Sequence, residues 1–244
     1  MLKDELRGIY YILLKDLRAY YFKPPNISWG ILFPLVLSLA FSLRSPGDLE
    51  TLAPGLIAMA AVFGTTSMEA IVITFERRTG ALERLLLAPI SLKSILLGKI
   101  LGGAVFGAMI SSIMTVLAVT AFKMRVAAPV WFAASLLLSL LTLSALGALV
   151  AVSVKEVFEA QTLSNYLRFP MIFLCGVFLP VEAMPLPLRA VAYFLPLTYS
   201  VDALRASVTG AQNLSGLMID MTVLTLFLIA FFTAGNNLLK RSLK

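Results

Sequence analysis

Long apolar runs separated by short polar breaks dominate this chain. A helix needs roughly 20 apolar residues to cross the hydrocarbon of a bilayer. Runs of about that kind occur at Ile27–Leu43, Leu52–Phe75, Ile95–Phe122, Pro129–Val154, Ala160–Leu179 and Leu217–Ala234. The pattern predicts an all-α integral membrane protein with six transmembrane helices. The first run is short and carries Pro34, while the third and fourth are long enough to tilt. No small-residue cleavage site closes the first run, so it reads as a retained span. Ahead of it, Leu6, Ile9, Tyr10, Leu13, Leu14, Leu17, Tyr20 and Tyr21 recur at helical spacing among Lys3, Arg7, Lys15, Asp16 and Arg18. That is the pattern of an N-terminal amphipathic helix lying in the interface, which serves as a surface anchor or as a partner contact. Pro24 and Pro25 end it and turn the chain into the bilayer. No internal repeat and no long polar linker divides residues 1–244, which read as a single transmembrane domain.

Two of the polar breaks carry structure of their own. Between the second and third spans lies Glu76–Lys99, ERRTGALERLLLAPISLKSILLGK. Its Leu82, Leu85 and Leu86 fall at i, i+3 and i+4 and give a short helix one apolar face. The chain has no soluble domain to cover that face, which predicts a docking element covered by another protein. In the segment Pro180–Gly216, Pro180, Pro185, Pro187 and Pro196 bound stretches too short to span. It predicts short re-entrant helices dipping into the outer leaflet, tolerable only where protein buries their backbone.

Composition agrees with the membrane class. Of 244 residues, 59% are hydrophobic and 14% charged, and the mean hydropathy is +0.92; soluble domains run near 45–50% apolar and about 25% charged. There is no histidine, and Cys175 is the single cysteine. One cysteine and no histidine leave no intrachain disulfide framework, no cysteine-cluster metal site and no histidine-based catalysis, and the many serines have no histidine to activate them. The net charge of +7 is informative once sorted by loop. With both termini cytoplasmic, Lys and Arg crowd the N-terminal segment, Glu76–Ser94 and the C-terminal tail. Only Arg44, Lys123, Arg125, Arg189 and Arg205 fall outside, so the charge reads as membrane topology and not as nucleic-acid binding. The chain has no GxxxxGK[ST] loop to cradle a phosphate. Energy for any pumping comes from another chain.

Ionisable groups within spans are costly and mark a pathway or a pair. Glu69 and Lys99 lie at matching depths, which favours an ion pair between them or, alternatively, snorkelling to the inner headgroups. Arg168 reaches either Glu159 or a cavity, and Asp220 sits at the outer interface. Gly98, Gly102, Gly103 and Gly107 form two overlapping small-xxx-small patterns that admit a close neighbouring helix. Ser111, Ser112, Thr115, Ser135, Ser139, Thr142 and Ser144 fit hydrogen bonding between helices better than pore lining. Asn213-Leu214-Ser215 is a glycosylation triplet of a kind that arises often by chance. An ion-coupled secondary transporter using Glu69, Arg168 or Asp220 is the alternative reading, although such folds usually carry an inverted repeat and none is visible. No aromatic cage or charged cluster stands out in the spans, so the substrate stays open.

Two segments resemble the type-2 ABC-transporter permeases, the membrane subunits of drug, lipid and polysaccharide exporters. The first holds Glu76, Gly80, Glu83 and Pro89, then Gly98 and Lys99, similar to that family's E-x-x-x-G-x-x-E-x-x-x-x-x-P loop and the G-K of its third helix. The second holds Gly176, Pro180, Met184, Pro185, Pro196, Thr198, Tyr199, Asp202 and Arg205, similar to its G-x-x-x-P, M-P, P-x-T-Y and D-x-x-R series. The resemblance covers essentially the whole chain. It implies a cytoplasmic coupling helix around Thr79–Ala88, docked on a separate ABC ATPase through Glu76, Arg77, Arg78, Gly80, Leu82, Glu83, Arg84, Leu86 and Pro89. It implies short re-entrant helices in which Gly176, Pro180, Met184, Pro185, Pro196, Thr198, Tyr199 and Arg205 cap the outer end of a pathway. The N-terminal helix then corresponds to an interface helix. The implied working unit is two permease chains, alike or paralogous, with two ATPase subunits that bind ATP and Mg. This chain itself is implied to hold no cofactor, no metal and no catalytic residue, and to sit among the lipids of the plasma or inner membrane, driving efflux.

Overall fold

A computed structural model describes residues 2–23, 31–40, 49–210 and 214–242, and their regular elements are helices. The helix α1 (Leu2–Asp16) runs into a π-helical turn, Leu17–Tyr21. Then come α2 (Ile31–Ala40), α3 (Leu49–Arg78), α4 (Ala81–Leu86), α5 (Leu92–Thr120), α6 (Pro129–Ser153) and α7 (Val157–Leu174). A 3-10 turn at Val181–Ala183, α8 (Leu186–Tyr193), α9 (Pro196–Val208) and α10 (Leu214–Ser242) complete the order.

Four of these, α3, α5, α6 and α10, are long and apolar enough to cross a membrane. They correspond to the second, third, fourth and sixth predicted spans. Over the fifth, the prediction ran to Leu179, but α7 stops at Leu174, where Cys175 ends the helix and Gly176 turns the chain at φ +79°. Of the first predicted span only α2 is described. The rest of it, the Pro24–Pro25 break, Arg44 and Asn213 lie outside the described residues.

The bundle is organised around α3, which packs on α5, α6, α7 and α9. The apolar stretch of α3 is 89% buried inside the protein, against 11% for that of α10. A helix buried on all sides needs small residues wherever neighbours come close. A Cβ on Gly64 would stand 2.8 Å from the Cα of Gly107, so α3 and α5 cross backbone to backbone. On α6, a Cβ on Gly147 would stand 2.5 Å from the Thr66 carbonyl oxygen of α3. The glycine stripe of α5 receives two different neighbours. Gly103 and Gly107 face α3 and α6, while Gly98 lies against Ile9 and Ile12, and Gly102 against Asp16 and Tyr21.

The interhelical reading of the hydroxyls holds for Ser144, which donates to the Ile100 carbonyl at 2.8 Å, and for Thr142, which reaches the Leu224 carbonyl at 3.2 Å. On α1 the outcome differs from the predicted stripe. The buried residues at this end are Ile12, Asp16, Leu17 and Tyr21, while Leu6 and Tyr10 remain 59% and 58% exposed. Docking against the α5 glycines selects the line Ile9–Ile12–Asp16 and leaves a second apolar face, with Leu6, Tyr10 and Tyr11, open to the surroundings.

Each short helix after Gly176 begins at a proline, because proline presets helical φ and lacks the N–H that a first turn leaves unbonded. Pro196 is the first residue of α9, while Pro180 and Pro185 stand immediately before the 3-10 turn and α8 as their N-caps. The helix α9 beds against α6, α10 and α3. Thr198 Oγ1 donates to the Ala192 carbonyl at 2.6 Å, Tyr199 Oη to the Tyr193 carbonyl at 2.8 Å, and Arg205 Nη2 to the Gly176 carbonyl at 2.8 Å.

The crossing at Gly147 makes a direct prediction. Gly147→Ala forces its methyl onto the backbone of α3 and costs about 1–3 kcal/mol. Gly235→Ala, whose nearest neighbour is Leu96 Cδ2 at 3.6 Å, is neutral. Thermal unfolding in detergent, followed by size exclusion, checks the pair; equal midpoints contradict the close packing.

Candidate functional site

The segment Glu76–Lys99 takes its shape from three local signals. At the end of α3 the chain reverses at Gly80, held in the left-handed region at φ +69° and ψ 11°, where a side chain adds strain. The helix α4 then spans only Ala81–Leu86, shorter than the Thr79–Ala88 that the family resemblance implies, and Pro89 follows in the bend. Ser91 caps α5, its hydroxyl accepting from the Ser94 N–H at 3.2 Å.

The apolar face of α4 is covered by the chain's own residues, which corrects the expectation of an uncovered face. Leu82 is buried with Ile12, Ile73, Ile95 and Leu239, and Leu85 and Leu86 rest on the same cluster. What faces outward is a rim of Arg78, Thr79, Glu83, Arg84, Leu87 and Pro89. Leu87 is 87% exposed. Sequence reasoning passed over it, although a signal existed: Leu87 lies about 100° around the helix from Leu86, out of phase with the Leu82–Leu85–Leu86 face.

The predicted coupling residues therefore separate into this rim and a buried root. Glu76 belongs to the root. It accepts hydrogen bonds from Lys99 and, at 2.5 Å, from Lys15. Lys99 Nζ also reaches Asp16 Oδ2 at 2.8 Å, and Lys15 lies 3.1 Å from Asp16 Oδ1. Lys99 is 1% exposed, and Asp16 and Glu76 are fully buried. Arg77 ties the same end of α3 to α6 by donating to the Val154 carbonyl at 2.9 Å.

The expected Glu69–Lys99 pair gives way to this arrangement, and Lys99 does not snorkel. Glu69 instead accepts from the Tyr21 hydroxyl. Depth along α3 and α5 matched Glu69 to Lys99, but α1 lies across the α5 glycines and delivers Asp16 beside Gly102. That carboxylate, with Glu76, takes up the ammonium.

A second contact of α1 lies at the far end of the loop. Glu5 accepts from the Ser91 backbone N–H at 3.0 Å and from its hydroxyl at 3.2 Å. Bonds from Ser94 and Ser91 hold the Glu5 carboxyl below its usual pKa. Ile90 fills the space over Gly8. Burial works against the charge of Lys15, yet the neighbouring Asp16 carboxylate and the bond to Glu76 outweigh it and hold its pKa above the usual value. Thus α1 grips the loop at both ends.

Arg168 is a separate polar centre. It donates to Ser67 Oγ and Asn165 Oδ1, and its guanidinium carbon lies 4.0 Å from the centre of the Phe63 ring. Of the two sequence alternatives it takes the cavity, a space of about 390 Å³ between α2, α3 and α7. Glu159 is occupied elsewhere, accepting from the Lys155 and Glu156 N–H groups at the start of α7. The aromatic lining by Phe33, Phe63 and Phe169 went unseen in the sequence because each comes from a different helix. Neither Glu69 nor Asp220 lines this cavity, so the three residues of the secondary-transporter reading do not converge there. Among the described residues no cluster of three or more His, Cys, Asp or Glu is arranged to hold a metal ion.

Comparison with known proteins bears on the whole chain. A family model described as ABC-2 type transporter matches residues 7–209. The inner membrane transport permease YadH of Escherichia coli (strain K12) is 24% identical over 225 residues, covering 89% of this chain and 86% of YadH. YadH of Shigella flexneri aligns to the same extent, at 24% identity over 225 residues. Nodulation protein J of Rhizobium leguminosarum bv. viciae is 34% identical over 74 residues, 30% of this chain and 28% of that protein.

The buried root predicts that Lys99→Met is strongly destabilising, because it strands two buried carboxylates. Breaking such a pair from one side costs about 3–5 kcal/mol. Adding Asp16→Asn and Glu76→Gln to Lys99→Met recovers part of the loss in a chemical unfolding series. A Lys99→Met chain as stable as wild type contradicts the network.

Proposed function

Because the chain belongs to the ABC-2 type transporter family, we propose that it is the membrane subunit of an ATP-driven exporter, coupling ATP hydrolysis by a separate ABC ATPase to efflux. Permeases of this family work with ABC ATPase subunits, and ATP and Mg are held by those partners. The observation that carries the proposal is the exposed rim Arg78–Glu83–Arg84–Leu87 at the tip of a loop whose root is locked by buried charges.

The rim docks on the ATPase. Leu87 supplies an apolar plug and Glu83 and Arg84 supply charges of both signs, a mixture suited to a specific interface with a polar rim. When two ATPase subunits close on ATP, they displace the rim of each of two permease chains. Gly80 sets the angle at which α4 leaves α3, and Glu76, Lys99 and Asp16 pass the displacement to α3, α5 and α1 together. A switch of this kind is a rigid-body movement of packed helices about an interface.

In this reading α2 and α7 belong to the first and fifth of six spans, residues 1–244 form one permease domain, and both termini are cytoplasmic. The positive-inside distribution of Lys and Arg supports that orientation. The short helices from Val181 to Val208, pinned by the Arg205–Gly176 bond, cap the outer end of the pathway. The exposed apolar face of α1 beds in the inner headgroup layer.

The test separates docking from folding. Leu87→Asp and Glu83→Lys change exposed side chains and leave the melting temperature and elution volume of the permease unchanged. Both variants lose co-purifying ATPase subunit, and ATP-dependent efflux in inverted vesicles falls at least tenfold. Normal coupled efflux in both variants contradicts the docking role. Efflux that persists without ATP and without the ATPase contradicts the exporter reading itself.

A further inference from the structure

We propose that the cavity between α2, α3 and α7 binds an organic anion with an apolar body, its carboxylate or phosphate held by Arg168. The site follows from a charge that no described residue balances. Arg168 is 6% exposed, and every hydrogen-bond partner it has is neutral: Ser67 Oγ and Asn165 Oδ1. Among the described residues no carboxylate forms an ion pair with it. An isolated buried charge costs far more than a paired one, and neutral acceptors and ring faces compensate it only in part. Its Nε carries no hydrogen bond, nor does Gln161 Oε1, and both residues line the same cavity. A guanidinium is a planar fork that matches a carboxylate or phosphate geometrically.

The rest of the cavity fits the tail of such a ligand. Phe33, Phe63, Phe169 and Ile71 supply its apolar lining, Ser67 and Asn165 bond the charge, and Gln161 adds a further polar group. The ring centres of Phe63 and Phe169 lie 4.0 and 5.7 Å from the guanidinium carbon, contacts that help to fix the fork before any ligand arrives. The volume of about 390 Å³ falls in the range of about 300–1,000 Å³ typical of small-molecule sites. An apolar chamber with one cation fixed in its wall selects amphiphilic anions over neutral amphiphiles and over small inorganic ions.

That such an anion is cargo rests on the exporter reading, but its binding does not. The experiment therefore measures binding without ATP, on the permease–ATPase complex in a nonionic detergent. Radiolabelled dodecanoate binds the wild-type complex and is displaced by dodecyl phosphate, while dodecanol at tenfold higher concentration displaces none. Arg168→Gln weakens dodecanoate binding at least tenfold, and Arg168→Lys retains an intermediate affinity. Phe63→Leu keeps the charge and loosens its stack, and it weakens binding severalfold even if Arg168→Gln proves too unstable to purify. Arg241→Gln binds as wild type does.

Because the assay contains no ATP and reads binding alone, a failure of the coupling scheme leaves this result standing. Native mass spectrometry separates the sources of the anion. A phosphatidylglycerol retained by wild type, lost in Arg168→Gln and displaced by dodecanoate identifies a bilayer lipid as the resident ligand; an empty wild-type site that fills with dodecanoate identifies a free amphiphile. Equal binding by Arg168→Gln and wild type overturns the proposal, as does equal displacement by dodecanol. It is overturned too if Arg168→Gln separates the permease dimer and no complex binds dodecanoate, because the partner copy then supplies the counter-charge.

Discussion

A lysine ammonium buried between two carboxylates is the constraint on which the packing of α1, α3 and α5 depends. Lys99 belongs to α5, Glu76 to α3 and Asp16 to α1, so three helices far apart in sequence meet at one charge. Such a group is stable only while all its members stay in place, since removing any one strands the others in a medium that solvates charge poorly. The glycines of α5 make the meeting possible. Without the gaps at Gly98 and Gly102, Ile12 and Asp16 of α1 would stand off from α5, and Lys99 would face Glu76 with no second carboxylate.

The same constraint divides the loop into parts with different roles. Leu82 and Glu76 are spent on anchoring, while Glu83, Arg84 and Leu87 remain exposed. In the proposed mechanism this division is what a lever requires: a stiff root and a free tip. Arg168 stands apart from it, on the other side of α3, with neutral partners and an open chamber. Glu76, Lys99 and Asp16 thus match one another's charges, whereas Arg168 has no carboxylate partner among the described residues.

Much of the architecture was legible because it is written in local pattern. Four long apolar runs became α3, α5, α6 and α10 with boundaries shifted by a few residues. The prolines at 180, 185 and 196 start helices where their geometry dictates, and the α5 glycines mark close crossings. Contacts set by the third dimension were not legible. Periodicity gave α4 an apolar face but not its cover, because Ile12 and Leu239 come from the two ends of the chain. Depth along the spans paired Lys99 with Glu69, because nothing in local pattern says that α1 folds back over α5. The fifth span was drawn too long, since an apolar run at Gly176–Leu179 does not reveal a glycine turned to positive φ. The aromatic wall around Arg168 is assembled from Phe33, Phe63 and Phe169, which no window along the sequence brings together.

The central claim is that α1 and the Glu76–Lys99 loop move as one body when the ATPase closes. Its direct test is the distance between spin labels at Thr79→Cys and Tyr11→Cys, both exposed positions, in a chain whose single native cysteine, Cys175, is buried. The account predicts one narrow distance distribution that is the same in the nucleotide-free and ATP-trapped complexes. A wild-type distance that shifts on ATP trapping contradicts it.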